Sequence, residues 1–339
     1  MSTVIWKKPY HDSKRFLAKS WLKLNPSVKI IGVTGSFGKT NTTRAIFEVL
    51  SQKAPALQTD LNLDTVYNLP ITILKLRNKH KFLVLEMGVD HKGEMDSYLE
   101  YAKPSIGVVT GITPVHSDPG LLGSLEGIME AKGRLLESLP KDGWAVLNHD
   151  DENVRKMAGK TKAQILWYGT GKDCDFRAEK IGVDFIGTSF VLHHNNQQYE
   201  VKIGLVGKHF VQVALAAAAA GKVCGLSWEE IITGLEKLKP LPGRLSIEKG
   251  PKGTILLDDH LRANPASTRA GLETLSTLPR QGSAKKIAVL GEMGELGEYA
   301  QIEHQKIGQT TAKLKIDYLI GIGPLQKLTV EEAIKNGMK

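Results

Sequence analysis

Ile30-Ile31-Gly32-Val33-Thr34-Gly35-Ser36-Phe37-Gly38-Lys39-Thr40-Asn41-Thr42-Thr43 passes from a short apolar, β-branched run through a glycine loop with a lysine into hydroxyl residues that open a helix. This order of residue types reads as a phosphate cradle. Glycines let the main chain approach an anion and turn successive N–H groups toward it, and the helix start adds positive partial charge. Lys39 is placed to reach terminal phosphates and Thr40 to ligate Mg²⁺. The common spacing GxxxxGK[ST] needs a glycine at 33, where valine stands, so the pattern here is GxxGKT from Gly35 to Thr40. An ordinary β-to-α turn also uses such glycines. The strand-like run before the loop, and Ala45, Ile46, Phe47, Val49 and Leu50 at helical spacing after it, favour the phosphate reading.

Outward from this loop, short apolar runs alternate with helical segments, the pattern of a parallel sheet flanked by helices. Strands are predicted at 29–34, 82–86, 106–110, 144–148 and 164–168, and helices at 40–52, 91–102, 124–138 and 151–158. Residues 185–193 and 199–205 alternate about His194-Asn195-Asn196-Gln197 as a β-hairpin. An alanine-rich helix over 210–223, with five consecutive alanines at 216–220, must lie close against another element because it carries little bulk. Pro240-Leu241-Pro242-Gly243 breaks the helical period, and a second βαβ pattern follows. Its strands are predicted at 254–258, 286–290 and 317–322, its helices at 265–278, 300–314 and 329–336. The fold class is therefore α/β: a P-loop-type parallel sheet domain with a β-hairpin insertion, then an incomplete Rossmann-like α/β domain. The expected division is a basic helical segment over 1–28, an ATP-binding domain over 29–240 and a C-terminal domain over 241–339.

The chain of 339 residues, 41 % hydrophobic and 24 % charged, has the composition of a globular protein large enough for two domains. Its two cysteines, Cys174 and Cys224, lack CxxC spacing, so neither a zinc ribbon nor a disulfide framework is indicated. Both read as partly buried thiols in a reducing compartment, and a cytoplasmic location is expected. The formal charge of +9 is dispersed along the chain, which favours anionic small molecules over nucleic acid. Near the N-terminus Lys7, Lys8, Lys14, Arg15 and Lys19 mix with Trp6, Phe16, Leu17, Trp21 and Leu22. No stretch there is long enough to span a membrane, and residues 13–24 are expected to form an amphipathic helix packed on the nucleotide domain.

Three further positions carry candidate chemistry. Glu86 ends the apolar strand run Phe82-Leu83-Val84-Leu85, where a Mg²⁺ ligand beside a phosphate loop belongs. His116 follows another strand through Gly111-Ile112-Thr113-Pro114-Val115, and Lys132 lies on the helix sixteen residues later. Taken alone, a loop histidine and a helical lysine read as structural or solvated.

In order and spacing, Thr34–Thr40, Leu85-Glu86-Met87-Gly88, Gly123-Ser124-Leu125-Glu126-Gly127, Ala131-Lys132-Gly133, Leu147-Asn148-His149-Asp150-Asp151, Gly243-Arg244, Asp258-Asp259, Ala263-Asn264-Pro265 and Gly291-Glu292-Met293-Gly294-Glu295-Leu296-Gly297 resemble the Mur ligases. The resemblance extends over about residues 29–322, and within the family it is greatest to the members that add D-alanyl-D-alanine in peptidoglycan synthesis. It implies ATP-dependent amide formation through an acyl phosphate, on a UDP-muramoyl peptide or other small-molecule or peptidyl cell-wall precursor. Carried over by position, Gly35, Ser36, Gly38 and Lys39 would hold phosphates, and Thr40 and Glu86 would serve a first Mg²⁺. His116 and Lys132 match the second-metal region, where the lysine is carbamylated. Lys39, His116 and Lys132 would then be the catalytic set. Arg244 would reach ATP phosphate and Asp259 the ribose, while His304 has no clear role. No nucleic-acid partner and no integral membrane segment are expected.

Departures stand beside the matches. The family's Gly-x-His-Asn, with a second asparagine three residues on, contacts adenine; here the segment reads Gly207-Lys208-His209-Phe210-Val211-Gln212-Val213. The family's Asp-Asp-Ser-Tyr-Asn-Ala-Asn-Pro reads Asp258-Asp259-His260-Leu261-Arg262-Ala263-Asn264-Pro265, and Arg134 replaces a glutamate. The family places a UDP-binding domain ahead of the phosphate loop; with about 28 residues there in this sequence, the expectation is that a separate chain supplies it. A catalytically degenerate nucleotide-binding paralogue, acting as a regulatory or scaffolding module, is the alternative.

Overall fold

The strand that leads into the glycine loop occupies an interior position in a large sheet. The structure is a computed structural model that describes residues 7–60, 65–280 and 282–339; residues 1–6 of the basic N-terminal segment, Trp6 among them, lie outside these. Helix α1 (Lys7–Lys23) precedes β1 (Lys29–Thr34), and residues 35–38 lead into α2 (Lys39–Leu50). Then come β2 (Ala56–Gln58), α3 (Thr65–Leu74), β3 (Phe82–Glu86), α4 (Glu94–Leu99), β4 (Ile106–Val109) and α5 (Leu125–Glu137). After these follow β5 (Trp144–Asn148), α6 (Glu152–Met157), β6 (Gln164–Gly169), β7 (Phe176–Asp184), β8 (Gly187–His194) and β9 (Gln197–Ile203). Helices α7 (Phe210–Val223) and α8 (Trp228–Glu236) close this part of the chain.

The strand order is β2-β3-β1-β4-β5-β6-β7-β8-β9. Pairing is parallel from β2 to β7 and antiparallel from β7 to β9. After β1 the chain goes first to β2 and β3 on one side, then crosses to β4 on the other. The carboxyl end of β1 is thus the point where connections diverge, the place where open α/β sheets take up a ligand. The expected hairpin is present as β8–β9, but β7 precedes it and joins it to the parallel strands, so it prolongs the main sheet. Strand β7 was hidden in sequence because a register shift between Glu179 and Gly182 interrupts its alternation.

Ile31, Val33, Leu83, Val84, Leu85, Val108 and Val146 are fully buried in the sheet, each contributing about 1.5–3 kcal/mol by leaving water. The alanines of α7 are fully buried against α2. Close packing there leaves no room even at Gly221, where a Cβ would stand 2.8 Å from Val49 Cγ1. Helix α1 packs on α3, with Ala18 fully buried and the Trp21 indole N–H donating to the Leu76 carbonyl at 3.3 Å. Helix α4 starts later than expected, because Gly93 at φ 83° forms its boundary.

The second part contains β10 (Ser246–Lys249), β11 (Ile255–Asp258), α9 (Pro265–Thr277), β12 (Ile287–Gly291), α10 (Ala300–Lys313), β13 (Tyr318–Ile322) and α11 (Gln326–Lys335). Only β12 and β13 pair as parallel neighbours; β11 pairs antiparallel with β10, not with them as the βαβ pattern suggested. The tight turn closed by Gly250 N–H on the Thr254 carbonyl, 2.8 Å, folds β11 back on β10. Among the described residues no helix is long and apolar enough to cross a membrane.

Candidate active site

The glycine loop takes the conformations its sequence implied. Gly35 lies at φ 148° and Gly38 at φ 74°, and a Cβ on Gly35 would come within 2.1 Å of Thr110 Oγ1. Gly38 caps α2 with no side chain on the first N–H groups, so those donors are left for an anion. Ser36 braces the loop: its N–H donates to the Gly111 carbonyl at 2.7 Å and its hydroxyl to that of Thr113 at 3.0 Å. Lys39 Nζ curls back on the Gly35 carbonyl, 2.9 Å. Burial lowers the Lys39 pKa, which Glu86 partly offsets and which Arg262 and Arg244 reinforce.

Parallel pairing of β1 with β3 sets Glu86 beside the loop. The Thr40 hydroxyl donates to Glu86 Oε1 at 3.3 Å, and the Glu86 N–H is held by Thr59 Oγ1 at 3.0 Å. A hydroxyl and a carboxylate oxygen form a hard donor pair suited to Mg²⁺.

His116 and Lys132 converge on one atom. The His116 Nδ1 and the Lys132 Nζ each stand 3.0 Å from the Val89 carbonyl oxygen. Lys132 is fully buried and has no ion-pair partner among the described residues. Burial, reinforced by the charge of Lys39, holds its amine well below the usual lysine range. Burial and Lys132 push His116 down to about 4, so it is neutral at pH 7. His116 also sits at φ 74°, uncommon for a residue with a Cβ. The second part of the chain holds it there: the Glu295 carbonyl accepts from the His116 and Ser117 N–H groups at 2.8 and 3.1 Å, and Glu295 Oε2 lies 3.3 Å from His116 Nε2.

Arg244, just past the Pro240-Leu241-Pro242-Gly243 break, donates to the Leu261 carbonyl at 3.1 Å. Asp259 is pushed up to about 6 by burial, against the opposing pull of Arg244. His304 is fully buried with both ring nitrogens engaged, Nδ1 with the Ala300 carbonyl at 2.7 Å and Nε2 with the Met293 N–H at 3.2 Å. It ties the 291–297 loop to α10, a structural role. Sequence reasoning missed Glu295 and Arg262. Arg262 carried a signal, a new cation in the segment after Asp258-Asp259; Glu295 carried none beyond its glycine-rich surroundings.

The side facing α7 differs. Phe210 and Val213, where the family pattern has asparagines, are 2 % and 6 % exposed and belong to the core. Gln212 instead donates to Asp150, past the carboxyl end of β5.

Family models match two regions: the Mur ligase middle domain over residues 33–221, and the Mur ligase, glutamate ligase domain over 243–338. The UDP-N-acetylmuramoyl-tripeptide--D-alanyl-D-alanine ligase of Mycobacterium tuberculosis is 36 % identical over 298 residues, 87 % of this chain and 58 % of that protein. Its namesake in Bacillus subtilis is 34 % identical over 320 residues, 94 % of this chain and 68 % of that protein. The chain thus spans between about three fifths and two thirds of these relatives. Among solved structures, MurF from Acinetobacter baumannii superposes with a TM-score of 0.88 at 31 % identity, covering 96 % of this chain and 70 % of that one. MurF from Thermotoga maritima in complex with ADP superposes with a TM-score of 0.82 at 26 % identity, covering 94 % and 72 %.

Proposed function

Since the chain belongs to the Mur ligase family, we propose that this site binds ATP with Mg²⁺ and joins a carboxylate to an amine. The carboxylate would be that of a UDP-muramoyl peptide and the amine D-alanyl-D-alanine, the pair for which its relatives in Mycobacterium tuberculosis and Bacillus subtilis are named. The observation that carries this is Lys132, a fully buried amine without an ion-pair partner among the described residues, sharing the Val89 carbonyl with His116. A charged lysine is costly in such a place. An uncharged one is a nucleophile that takes up CO₂ as a carbamate and so becomes a carboxylate-like ligand.

Bound Mg²⁺ would supply the charge neutralisation that lets two anions meet. Thr40 and Glu86 would hold it on one side, His116 and carbamylated Lys132 on the other. The free N–H groups at the start of α2, together with Lys39 and Arg244, would orient the phosphates and stabilise charge as it develops. Asp259 would accept from a ribose hydroxyl. The 291–297 loop, seated on His116 and Ser117, would keep water from the reacting centre. On this reading residues 29–240 form the ATP-binding unit and 241–339 the unit that presents the amine.

The test is Lys39→Ala. Turnover of ATP is expected to vanish with the circular dichroism spectrum unchanged, and undiminished turnover would overturn the proposal. Calorimetry of the unmodified chain with ATP and Mg²⁺ separates the alternative: binding without turnover in the presence of both substrates points to a nucleotide-binding module.

A further inference from the structure

Past the carboxyl ends of β5 and β6 lies a group of side chains that the nucleotide site does not use. One ligand atom each from His149, Asp150 and Cys174 lie within 4.8 Å of one another. His149 and Asp150 directly follow β5, and Cys174 sits in the connection between β6 and β7. The Cys174 N–H donates to the Gly171 carbonyl at 3.4 Å, which closes a turn and brings the thiol back to the sheet edge.

Their surroundings resemble the outer support of a metal site. The Asp150 carboxylate is oriented by the Thr170 N–H, 3.0 Å from both oxygens, by the Thr170 hydroxyl at 2.9 Å, and by the Gln212 amide. Outer donors of this kind fix a ligating carboxylate before the metal arrives. The His149 ring stands edge-on to Trp167 with centroids 5.3 Å apart, and neither of its ring nitrogens is hydrogen-bonded among the described residues. Cys174 is a free thiol. Gln212 Oε1 is buried without a partner, an acceptor oxygen left over beside Asp150.

Space is kept by two glycines. A Cβ on Gly171 would stand 3.5 Å from His149 Nδ1 and 3.8 Å from Cys174 Sγ. On Gly169 it would stand 2.5 Å from Asp150 Oδ1 and 3.1 Å from Cys174 Sγ. In a tetrahedral zinc shell, ligand atoms lie about 3.3–3.6 Å apart, a small contraction from the present spread. Imidazole and thiolate together select Zn²⁺ over Mg²⁺ or Ca²⁺, which prefer oxygen alone.

We propose that His149, Asp150 and Cys174 bind one divalent transition metal ion of the Zn²⁺ class, with the fourth position taken by Gln212 Oε1 or water. On binding, the Cys174 thiol gives its proton to solvent and the thiolate, the neutral imidazole and the carboxylate donate to the ion. The ion pins the 169–175 turn to the end of β5 beside the first turn of α7. The site borders the base end of the proposed nucleotide site through Gln212, but its ligands His149, Asp150 and Cys174 take no part in phosphate binding, so metal binding is tested without nucleotide.

The experiment is a titration of the metal-stripped full chain with Co²⁺, followed by displacement with Zn²⁺. One equivalent is expected to give visible bands of tetrahedral Co²⁺ and a near-ultraviolet thiolate-to-cobalt charge-transfer band. Cys174→Ser should lose the charge-transfer band, while Cys224→Ser, at a core position, and Lys39→Ala should keep it. His149→Ala should weaken Zn²⁺ binding on the order of 100-fold. Absence of the charge-transfer band, its survival in Cys174→Ser, or its loss in Lys39→Ala would overturn the proposal.

Discussion

The proposed nucleotide site has two ends, and they are built differently. At the β1–β3 end recognition would rest largely on main chain: uncapped N–H groups at the start of α2, a loop shaped by Gly35 and Gly38, and Val89, whose carbonyl meets both His116 and Lys132. At the β5–α7 end it would rest on side chains, and there Phe210 and Val213 have gone into the core while Gln212 Oε1 and the His149 ring stand without hydrogen-bond partners. Main-chain recognition survives substitution as long as the glycines remain. Side-chain recognition is lost one residue at a time. Perturbing the two ends should therefore have very unequal consequences for nucleotide chemistry.

The largest effect is expected at Lys132. Lys132→Met should lower ligation by on the order of 10³-fold, equivalent to about 4 kcal/mol, because it removes the group proposed to become a metal ligand. The same substitution should stabilise the fold at pH 7, because a charged amine is disfavoured at this buried position. The sign follows from the depressed amine. Above the unfolded lysine value of about 10.4 both states are neutral and there is no penalty; as pH falls below it, the unfolded chain protonates first and the folded state loses ground. Denaturant melts should thus show the gain of Lys132→Met shrinking as pH rises toward 10. Equal gains at pH 7 and pH 10 would mean that packing, not charge, distinguishes the variants.

Gly35→Ala comes next. A Cβ 2.1 Å from Thr110 Oγ1, at φ 148°, forces the loop to move. ATP affinity should fall by about 10–100-fold and stability by about 1–3 kcal/mol. Gly38→Ala is the internal control: its Cβ meets only Thr110 Cβ, at 3.8 Å, so its cost should be limited to about 1–2 kcal/mol for the left-handed conformation. Calorimetry and denaturant melts of the pair check both, and equal losses would show that the φ values matter more than the contact with Thr110.

Asp259 tests the wall contributed by the second part of the chain. Its carboxyl, held at about 6, is disfavoured as an anion in the folded state. That penalty is complete above pH 6 and is relieved as pH falls from 6 toward the unfolded value of about 3.9. Asp259→Asn should therefore stabilise by about 1–2 kcal/mol at pH 8, after discounting for partial exposure, and do nothing at pH 4. His116 slopes the other way. Pushed down to about 4, it contributes stability above pH 6.5 that is lost as pH falls toward 4. With Asp259 removed, nothing offsets that loss, and the stability curve between pH 6 and 4 should steepen.

Legibility from sequence follows the same division. The β1–loop–α2 unit was readable because its determinants are local: an apolar run, glycines at fixed offsets and a helical period. Strand β7 was not, since its register shift breaks the alternation that a sequence window detects, and β11 was assigned to the wrong neighbours because pairing is a long-range property. His116 and Lys132 looked ordinary in isolation. Only the parallel packing of β1, β3 and β4, with α5 behind, brings both to the Val89 carbonyl. The His149–Asp150–Cys174 group carried no spacing signature, because its ligands come from two connections twenty-odd residues apart.

The smallest effect is expected at Gln212, and it is the one that can break the comparison. If the base end contributes little to nucleotide binding, Gln212→Ala should change ATP affinity by no more than about threefold, under about 0.7 kcal/mol. ATP and GTP should then bind within the same narrow range. Lys39→Ala, which removes the proposed charge-assisted contact to phosphate, should cost about 1.5–3 kcal/mol in the same calorimetric assay. A loss at Gln212 as large as that at Lys39, with GTP rejected, would mean that the amide has taken over base recognition from the asparagines replaced by Phe210 and Val213. Gln212 Oε1 is an unpartnered acceptor and its amide nitrogen a donor, the pairing that an adenine edge presents in reverse. A threefold limit therefore separates a site read at its phosphate end alone from one that has rebuilt its base end with a different side chain.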